Sequence, residues 1–179
     1  MSIFRKKTLI CIAVLLTLST FISVSAEYRT VNVPLRNQQP YQRGCWAATG
    51  SSICGFKGIN ASKEHFAAKG GYNLANDVSR DIYVAESILN KYGIYGTFRF
   101  GFITYSEVKS NINSGKTMYV NVFQHAVALR GYRDEGTQQT QYTYFMDPWQ
   151  GTYTFVQHNT LQNGNNSHNY LWSEALTNI

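Results

Sequence analysis

Patterns typical of helices dominate the first half of this chain and patterns typical of strands dominate the second, which limits the folds open to it. Small residues follow Cys45 and predict a helix that ends near Gly55 or Gly58. Further helices are predicted over Ser62–Lys69 and Ser79–Tyr92, and after a capping box at residues 104–107. Strands are predicted at Thr97–Ile103, Thr117–Val122, Ala126–Tyr132, Tyr142–Met146 and Tyr153–Gln157, and residues 170–172 form either a last strand or a docked apolar anchor. This order predicts an α+β domain, with an N-terminal helical part packed on a C-terminal antiparallel sheet.

The first 26 residues have the organisation of a secretory signal peptide. Basic residues at positions 5–7 precede the apolar run Leu9–Leu18, and the small residues 24–26 fit a cleavage site. The apolar run is short for a membrane span, so no stable membrane insertion is expected after cleavage. We therefore expect residues 1–26 to be removed and residues 27–179 to form one secreted domain, extracellular or periplasmic.

Charge and composition exclude several classes of function. The chain carries 16 basic and 10 acidic residues, and its net charge of +6 falls to +3 without the three basic residues of the signal segment. No basic stripe is left, so nucleic acid is not an expected partner. The histidines lack metal-ligand spacing, and neither a Cys-x-x-Cys pair nor a phosphate-binding loop occurs. We expect no metal and no cofactor, and a monomer.

Two cysteines follow the signal segment, and their spacing separates their roles. Cys45 and Cys54 are nine residues apart on one predicted helix, too far along its axis for a disulfide. An unpaired cysteine in an exported protein requires an explanation, and a catalytic thiol provides one for Cys45. Cys54 is expected to pack as a small apolar residue.

Cys45 occupies the predicted start of a helix, which suits a nucleophile. The unpaired N–H groups and the positive end of the helix dipole favour a thiolate there. Gln39 precedes Cys45 by six residues and could direct its side-chain amide at an oxyanion beside the sulfur. Gln38 and Gln42 lie nearby and are alternatives for that role.

A histidine and an aspartate in the strand-rich half are candidate partners of the thiol. His125 lies between two predicted strands, and Asp147 ends another, before a Pro and a Gly that predict a turn. A carboxylate at a strand end can orient and stabilise an imidazolium on a neighbouring strand. His65 lies on a short polar helix, and His158 and His168 follow Asp147 and are predicted to be surface loop residues.

These segments resemble the papain-like cysteine peptidase superfamily. The resemblance rests on Gln39 followed after five residues by Cys-Trp-Ala, on His-Ala-Val-Ala-Leu-Arg-Gly-Tyr from His125, and on Met-Asp-Pro-Trp-Gln-Gly around Asp147. Compact bacterial branches are the most similar: leader-peptide-cleaving peptidases and papain-like effector peptidases. The third member is Asp147, where plant-type papains have Asn, and the polar stretch 133–141 lengthens the segment between His125 and Asp147.

The resemblance implies a papain-like fold with the active site in the cleft between helices and sheet. It gives Cys45 the role of nucleophile, His125 that of general base, Asp147 that of orienting group and Gln39 that of oxyanion donor. The implied activity is hydrolysis of peptide bonds in a protein or peptide substrate. Two alternatives stay open: a secreted peptide-binding or effector module on the same scaffold, and a deamidase or acyltransferase that uses the same groups.

Overall fold

The helical and strand-forming halves of the chain fold together into an α+β domain. The structure is a computed structural model and describes residues 26–179. The predicted signal segment lies, except for its last residue, outside the described residues. Within the described range no helix is both long and apolar enough to cross a membrane.

Four α-helices occur between residues 26 and 179. They are α1 (Cys45–Phe56), α2 (Lys63–Lys69), α3 (Ile82–Lys91) and α4 (Tyr105–Asn113), and three short 3₁₀ segments cover Leu74–Asn76, Gln138–Thr140 and His158–Gln162. Side chains of Ser62 and Asp81 accept from N–H groups at the starts of α2 and α3, and the predicted capping box between Thr104 and Glu107 begins α4. The four predicted helices are confirmed, with α3 beginning three residues later than predicted.

Seven strands form one antiparallel sheet. They are β1 (Glu27–Thr30), β2 (Thr97–Phe100), β3 (Met118–Val122), β4 (His125–Asp134), β5 (Gln141–Asp147), β6 (Thr152–Gln157) and β7 (Trp172–Thr177). The order across the sheet is β2-β7-β3-β4-β5-β6, and β1 pairs with the far end of β4. The α+β class and the antiparallel sheet are therefore confirmed.

Apolar layers cover both faces of the sheet. One layer joins α1, α2 and α3 to the sheet and contains the fully buried Trp46, Phe66 and Tyr119. The other packs α4 and the loop after β6 against the opposite face. Gly50 lies so close to Phe66 that an added Cβ would be 2.2 Å from the ring, which explains the small residues of α1. Helix α1 is thus fixed against the sheet over most of its length.

Strand β1 was not predicted from the sequence. Of the two alternatives for residues 170–172, the structure has the last strand, β7, which begins at Trp172 and lies between β2 and β3. One sequence expectation is wrong. His158 is not a surface residue, because its side chain is buried beneath Phe102 and Trp172.

Candidate active site

Cys45 is the first residue of α1 and is partly exposed. Gly44 caps the helix, and no side chain bonds to the N–H groups of the first turn. Those N–H groups therefore face the region of the sulfur with the positive end of the helix dipole behind them. The predicted position of Cys45 at a helix start is confirmed.

His125 and Asp147 are joined by a short hydrogen bond. His125 begins β4, Asp147 ends the neighbouring strand β5, and His125 Nε2 lies 2.7 Å from Asp147 Oδ1. Both side chains are mostly buried, with 16% and 11% of their surface exposed. An Nε2–H that donates to the carboxylate leaves Nδ1 as the nitrogen free for Cys45. The structure thus brings the predicted histidine and aspartate into contact.

The surroundings of His125 favour the imidazolium. Burial works against its positive charge, but the hydrogen bond with Asp147, the neighbouring Cys45 and the charge of Asp147 raise the pKa of His125 to about 9. The charged form therefore persists through neutral pH, opposite the sulfur. A positive imidazolium beside a cysteine is one of the features that covalent catalysis by a thiol requires.

Three donors surround the Asp147 carboxylate. Besides His125, the backbone N–H of Trp149 donates to Oδ1 at 2.9 Å, and the hydroxyl of the buried Tyr170 donates to Oδ2 at 2.6 Å. Burial alone would raise the pKa of Asp147, but the bonds from His125, Tyr170 and Trp149 hold it below its usual value. Asp147 therefore stays ionised and fixed in orientation.

Two bonds hold the helix against the sheet at this point. Thr49, one turn after Cys45 on the same helix face, donates its hydroxyl to Ala126 O at 2.9 Å. The backbone N–H of Gln38 donates to Pro148 O at 2.8 Å. Because Ala126 adjoins His125 and Pro148 adjoins Asp147, these bonds fix the start of α1 relative to His125 and Asp147.

The glutamines before Cys45 differ in position. Gln38 is fully buried, and its amide donates to Tyr41 O at 3.1 Å and Gln42 O at 2.7 Å, so it shapes the turn that leads into α1. Gln39 is exposed and is not among the residues that line the cavities around Cys45. Gln42 is also exposed, but it lines one of those cavities together with Cys45. The oxyanion role of Gln39 stays a prediction, and Gln42 is its structural competitor.

Two cavities meet at Cys45 and His125. The first, of about 500 Å³, has a polar wall that includes Arg43, Arg80 and Asn121. The second, of about 460 Å³, contains Asp147 and Tyr170 and is bordered by the exposed aromatic residues Phe123 and Trp149. Gln124 lines both cavities and has a left-handed backbone (φ 57°), a conformation that non-glycine residues seldom adopt. Because the two cavities share Cys45, Gln124 and His125 among their lining residues, we describe them together as one groove beside the thiol.

Cys54 and His158 lie outside these cavities, whereas the exposed His168 lines the second one. Cys54 is buried, and burial raises the pKa of its thiol to about 12, which keeps it unreactive. His158 is buried between Thr143 and Ile103 O, and burial lowers its pKa to about 4. Among the described residues both cysteines are free, and no group of three or more His, Cys, Asp or Glu side chains is arranged to hold a metal ion.

Comparison with known sequences decides the family. Residues 30–174 match the sequence model of the Peptidase_C39-like family, which is far more than half of the chain. The chain belongs to this family. A search of curated proteins finds no match for the Peptidase_C39-like chain.

The fold has a counterpart among solved structures. The crystal structure of UfSP from C. elegans superposes with a TM-score of 0.54 and 14% sequence identity, over 91% of this chain and 36% of that one. The Peptidase_C39-like chain thus spans about a third of the length of this neighbour, and the likeness concerns the fold alone. The family and the fold together confirm the predicted place in the papain-like cysteine peptidase superfamily.

Several residues of the groove were not singled out from the sequence. In the sequence Tyr170 stands out only as part of an apolar segment, although its hydroxyl bonds to Asp147, and no motif marks Arg43, Arg80 or Gln124. A tyrosine 23 residues after an aspartate has no local pattern that would reveal the contact. Arg43, two residues before the candidate nucleophile, is the one that proximity in sequence could have indicated.

Proposed function

We propose that this protein is a secreted papain-like cysteine endopeptidase. The observation that carries the proposal is the His125–Asp147 hydrogen bond at the edge of the groove that Cys45 also lines. A paired imidazole beside a thiol at a helix start is the combination that covalent acyl transfer needs. The groove on both sides of Cys45 favours an endopeptidase over a pocket for a small substrate.

The proposed reaction has two steps, acylation and deacylation, and the same groups act in both. The Cys45 thiolate attacks the peptide carbonyl carbon, and the carbonyl oxygen becomes an oxyanion near the first N–H groups of α1. His125 donates its Nδ1 proton to the leaving amine, so the C–N bond breaks and an acyl-enzyme forms. Water then attacks the thioester carbonyl carbon and His125 accepts the proton of the water. The C–S bond breaks, the acid product leaves, and Cys45 returns to the thiolate. Asp147 holds the imidazole through Nε2 in both steps.

Export is the second part of the proposal. It rests on the sequence of residues 1–26, with its basic start, apolar run and small-residue cleavage site. Export would give the enzyme access to a peptide or protein substrate outside the cytoplasm. Secretion of the full chain from an expressing cell, with a new N-terminus at Glu27 found by mass spectrometry, tests it. An intact N-terminus in the cell fraction would contradict it.

The catalytic proposal is tested by covalent labelling and by hydrolysis. The purified protein is treated with an epoxide inhibitor of cysteine peptidases, and the adduct is located by mass spectrometry. We expect a single adduct on Cys45, lost in His125→Ala and retained in Cys54→Ala, which serves as the matched control. Hydrolysis of an unfolded protein substrate should be abolished in Cys45→Ala.

The same measurements separate the alternatives. Equal labelling of Cys45 and Cys54 would contradict an activated thiol. Labelling of Cys45 without peptide hydrolysis, but with release of ammonia or transfer of the acyl group to an added amine, would favour the deamidase or acyltransferase hypothesis. Peptide binding that is unchanged in Cys45→Ala, with no turnover in the parent, would favour the binding module.

A further inference from the structure

One wall of the groove has a marked excess of positive charge. The cavity of about 500 Å³ beside Cys45 is lined by Arg43 and Arg80, and no carboxylate is among its lining residues. Within residues 26–179 neither arginine is within salt-bridge distance of an acidic side chain. A guanidinium that lines a cavity without a carboxylate partner is free to bind one from a ligand.

The nearby carboxylates are engaged elsewhere. Asp77 Oδ1 accepts the backbone N–H of Arg43 at 2.7 Å, and Asp81 Oδ1 accepts from Val84 N as the cap of α3. Glu174 Oε2 accepts from the amide of Asn121 at 3.1 Å. These groups reduce the local positive charge but leave the two guanidinium groups without a direct partner.

The guanidinium of Arg80 is held in place through aromatic stacking. Its Cζ lies 4.3 Å from the ring centroid of Tyr72, and that ring meets Trp46 edge-on at 5.9 Å. Trp46 directly follows Cys45 and is buried. A stacked guanidinium keeps its edge available for hydrogen bonds and loses little freedom when it binds. These contacts therefore hold the Arg80 guanidinium in a defined position relative to the Cys45 sulfur.

Two hydrogen bonds hold the loop that carries Arg80 against residues before and after Cys45. Asp77 accepts the N–H of Arg43, and Val78 O accepts the indole N–H of Trp46 at 3.1 Å. The only hydrogen bond that the Arg80 guanidinium makes among the described residues is a long one, Nη1 to Ser79 O at 3.4 Å, and its buried Nε has no partner there. Arg130 also has a buried Nε without a partner, but only Arg80 lines the cavity beside Cys45, where a ligand could supply the acceptor.

From this wall we infer a substrate subsite for a carboxylate, formed by Arg43 and Arg80 next to Cys45. The inference rests on the proposed peptidase function and adds a substrate class to it: peptides that carry a carboxylate close to the scissile bond. The carboxylate can come from an Asp or Glu side chain or from the C-terminus of the peptide. Two charge-assisted bonds to guanidinium groups would favour it over the neutral amide by about tenfold or more.

Binding to an inactive variant tests the subsite separately from catalysis. Pools of synthetic octapeptides carry Glu, Gln or Lys at one fixed position, with either a free or an amidated C-terminus, and are bound to Cys45→Ala. We expect Glu pools to bind about tenfold more tightly than Gln pools at one position, with Lys the weakest. If amidation rather than the Glu-to-Gln change removes the preference, the C-terminal carboxylate is the ligand.

The matched control is a second arginine stacked on a tyrosine. Arg130 Cζ lies 3.8 Å from the ring centroid of Tyr153, outside the residues that line either cavity. In the Cys45→Ala background, Arg80→Gln and Arg43→Gln should each reduce the carboxylate preference, whereas Arg130→Gln should retain it. Arg80→Lys keeps a positive charge and should retain part of the preference, which a general loss of folding would not.

The outcomes distinguish the subsite from the catalytic proposal. Equal binding of carboxylate and amide pools, no peptide binding at all, or a preference that survives both Arg43→Gln and Arg80→Gln would overturn the subsite. Hydrolysis of peptides without a carboxylate preference would leave the peptidase proposal intact and reject the subsite. A carboxylate preference in binding, with no hydrolysis by the parent protein, would retain the subsite and reject the peptidase proposal.

Discussion

The hydroxyl of Tyr170 donates to Asp147 Oδ2 at 2.6 Å, on the oxygen that His125 leaves free. Tyr170 is 5% exposed, and its ring centroid lies 6.1 Å from that of His125. Burial, the hydrogen bond to Asp147 and its charge raise the pKa of Tyr170, so the hydroxyl keeps its proton at neutral pH and donates to the carboxylate. If the proposed triad is correct, Tyr170 positions it by acting through Asp147.

Removal of this hydroxyl should weaken catalysis and alter its pH profile. In Tyr170→Phe the carboxylate loses one of its donors, so the pKa of Asp147 should rise toward its usual value and the acid limb of kcat/KM should move to higher pH. We expect kcat/KM to fall about tenfold, since one hydrogen bond to a charged group is lost. The measurement is the pH dependence of peptide hydrolysis.

Tyr153→Phe is the control for that experiment. The Tyr153 hydroxyl donates to Val33 O at 2.9 Å and does not line the groove. The Tyr153→Phe variant should leave kcat/KM and the acid limb of its pH profile unchanged. A Tyr170→Phe variant with a lower Tm but the parent pH profile would mean that Tyr170 contributes to stability alone.

The order of helices and strands along the chain was predictable from the sequence, because local signals determine it. The capping box at Thr104 and Glu107, and the periodicity of α3, depend on neighbours a few residues away. Strand β1 could not be predicted, because its four residues are stabilised by pairing with β4, about 100 residues later in the chain.

The candidate triad was predictable to a similar extent, and for a different reason. Cys45, His125 and Asp147 each end or begin an element, so their approach follows from the fold class that the motifs imply. Tyr170 comes from a loop between the last 3₁₀ segment and β7, and Arg80 from the loop before α3. Such contacts depend on tertiary packing between distant segments, which no local pattern encodes.

The alkaline limit of activity should follow His125. Peptide hydrolysis needs the imidazolium to protonate the leaving amine, so kcat/KM should fall about tenfold per pH unit above the raised pKa of about 9. In Asp147→Asn the carboxylate that raises this pKa is lost, and the alkaline limb should move down toward the ordinary value of 6.5. The measurement is kcat/KM from pH 6 to pH 10.5 for both proteins. An alkaline limb that stays near pH 9 in Asp147→Asn would contradict control of His125 by Asp147.

Single substitutions of the three glutamines should assign the oxyanion donor. Because Gln42 lines the groove with Cys45, we expect Gln42→Ala to lower kcat about 100-fold, the usual effect of losing one such donor. Gln39→Ala should then have almost no effect on kcat. A fall in kcat that is confined to Gln39→Ala would instead establish the role that the sequence predicts. Gln38→Ala should instead lower the free energy of unfolding by about 1–3 kcal/mol, because its buried amide holds the turn. Hydrolysis rates and urea unfolding of the three variants separate these effects.

Acid should destabilise the fold through His158, which is buried away from the triad. Its Nδ1 lies 2.8 Å from the Thr143 hydroxyl and its Nε2 lies 3.2 Å from Ile103 O, so the neutral ring satisfies both partners. Burial lowers the pKa of His158 to about 4 in the folded protein, against 6.5 when it is exposed by unfolding. The unfolded chain therefore binds this proton first, and stability falls as the pH drops from 6.5 to 4, by about 3 kcal/mol in all.

His158→Gln tests that source of acid sensitivity, because an amide offers one acceptor and one donor and does not titrate. We expect the variant to be less stable than the parent at pH 7, since its side chain is smaller, but to lose less stability between pH 6.5 and pH 4. His125 does not affect the comparison, because its contribution is the same in the parent and in His158→Gln and cancels between them. The exposed His168, changed to Gln, should follow the parent curve. Urea unfolding at a series of pH values gives the dependence of the free energy of unfolding on pH, and the Cys45→Ala background prevents self-digestion. Parallel curves for parent and His158→Gln would show that acid acts through other groups.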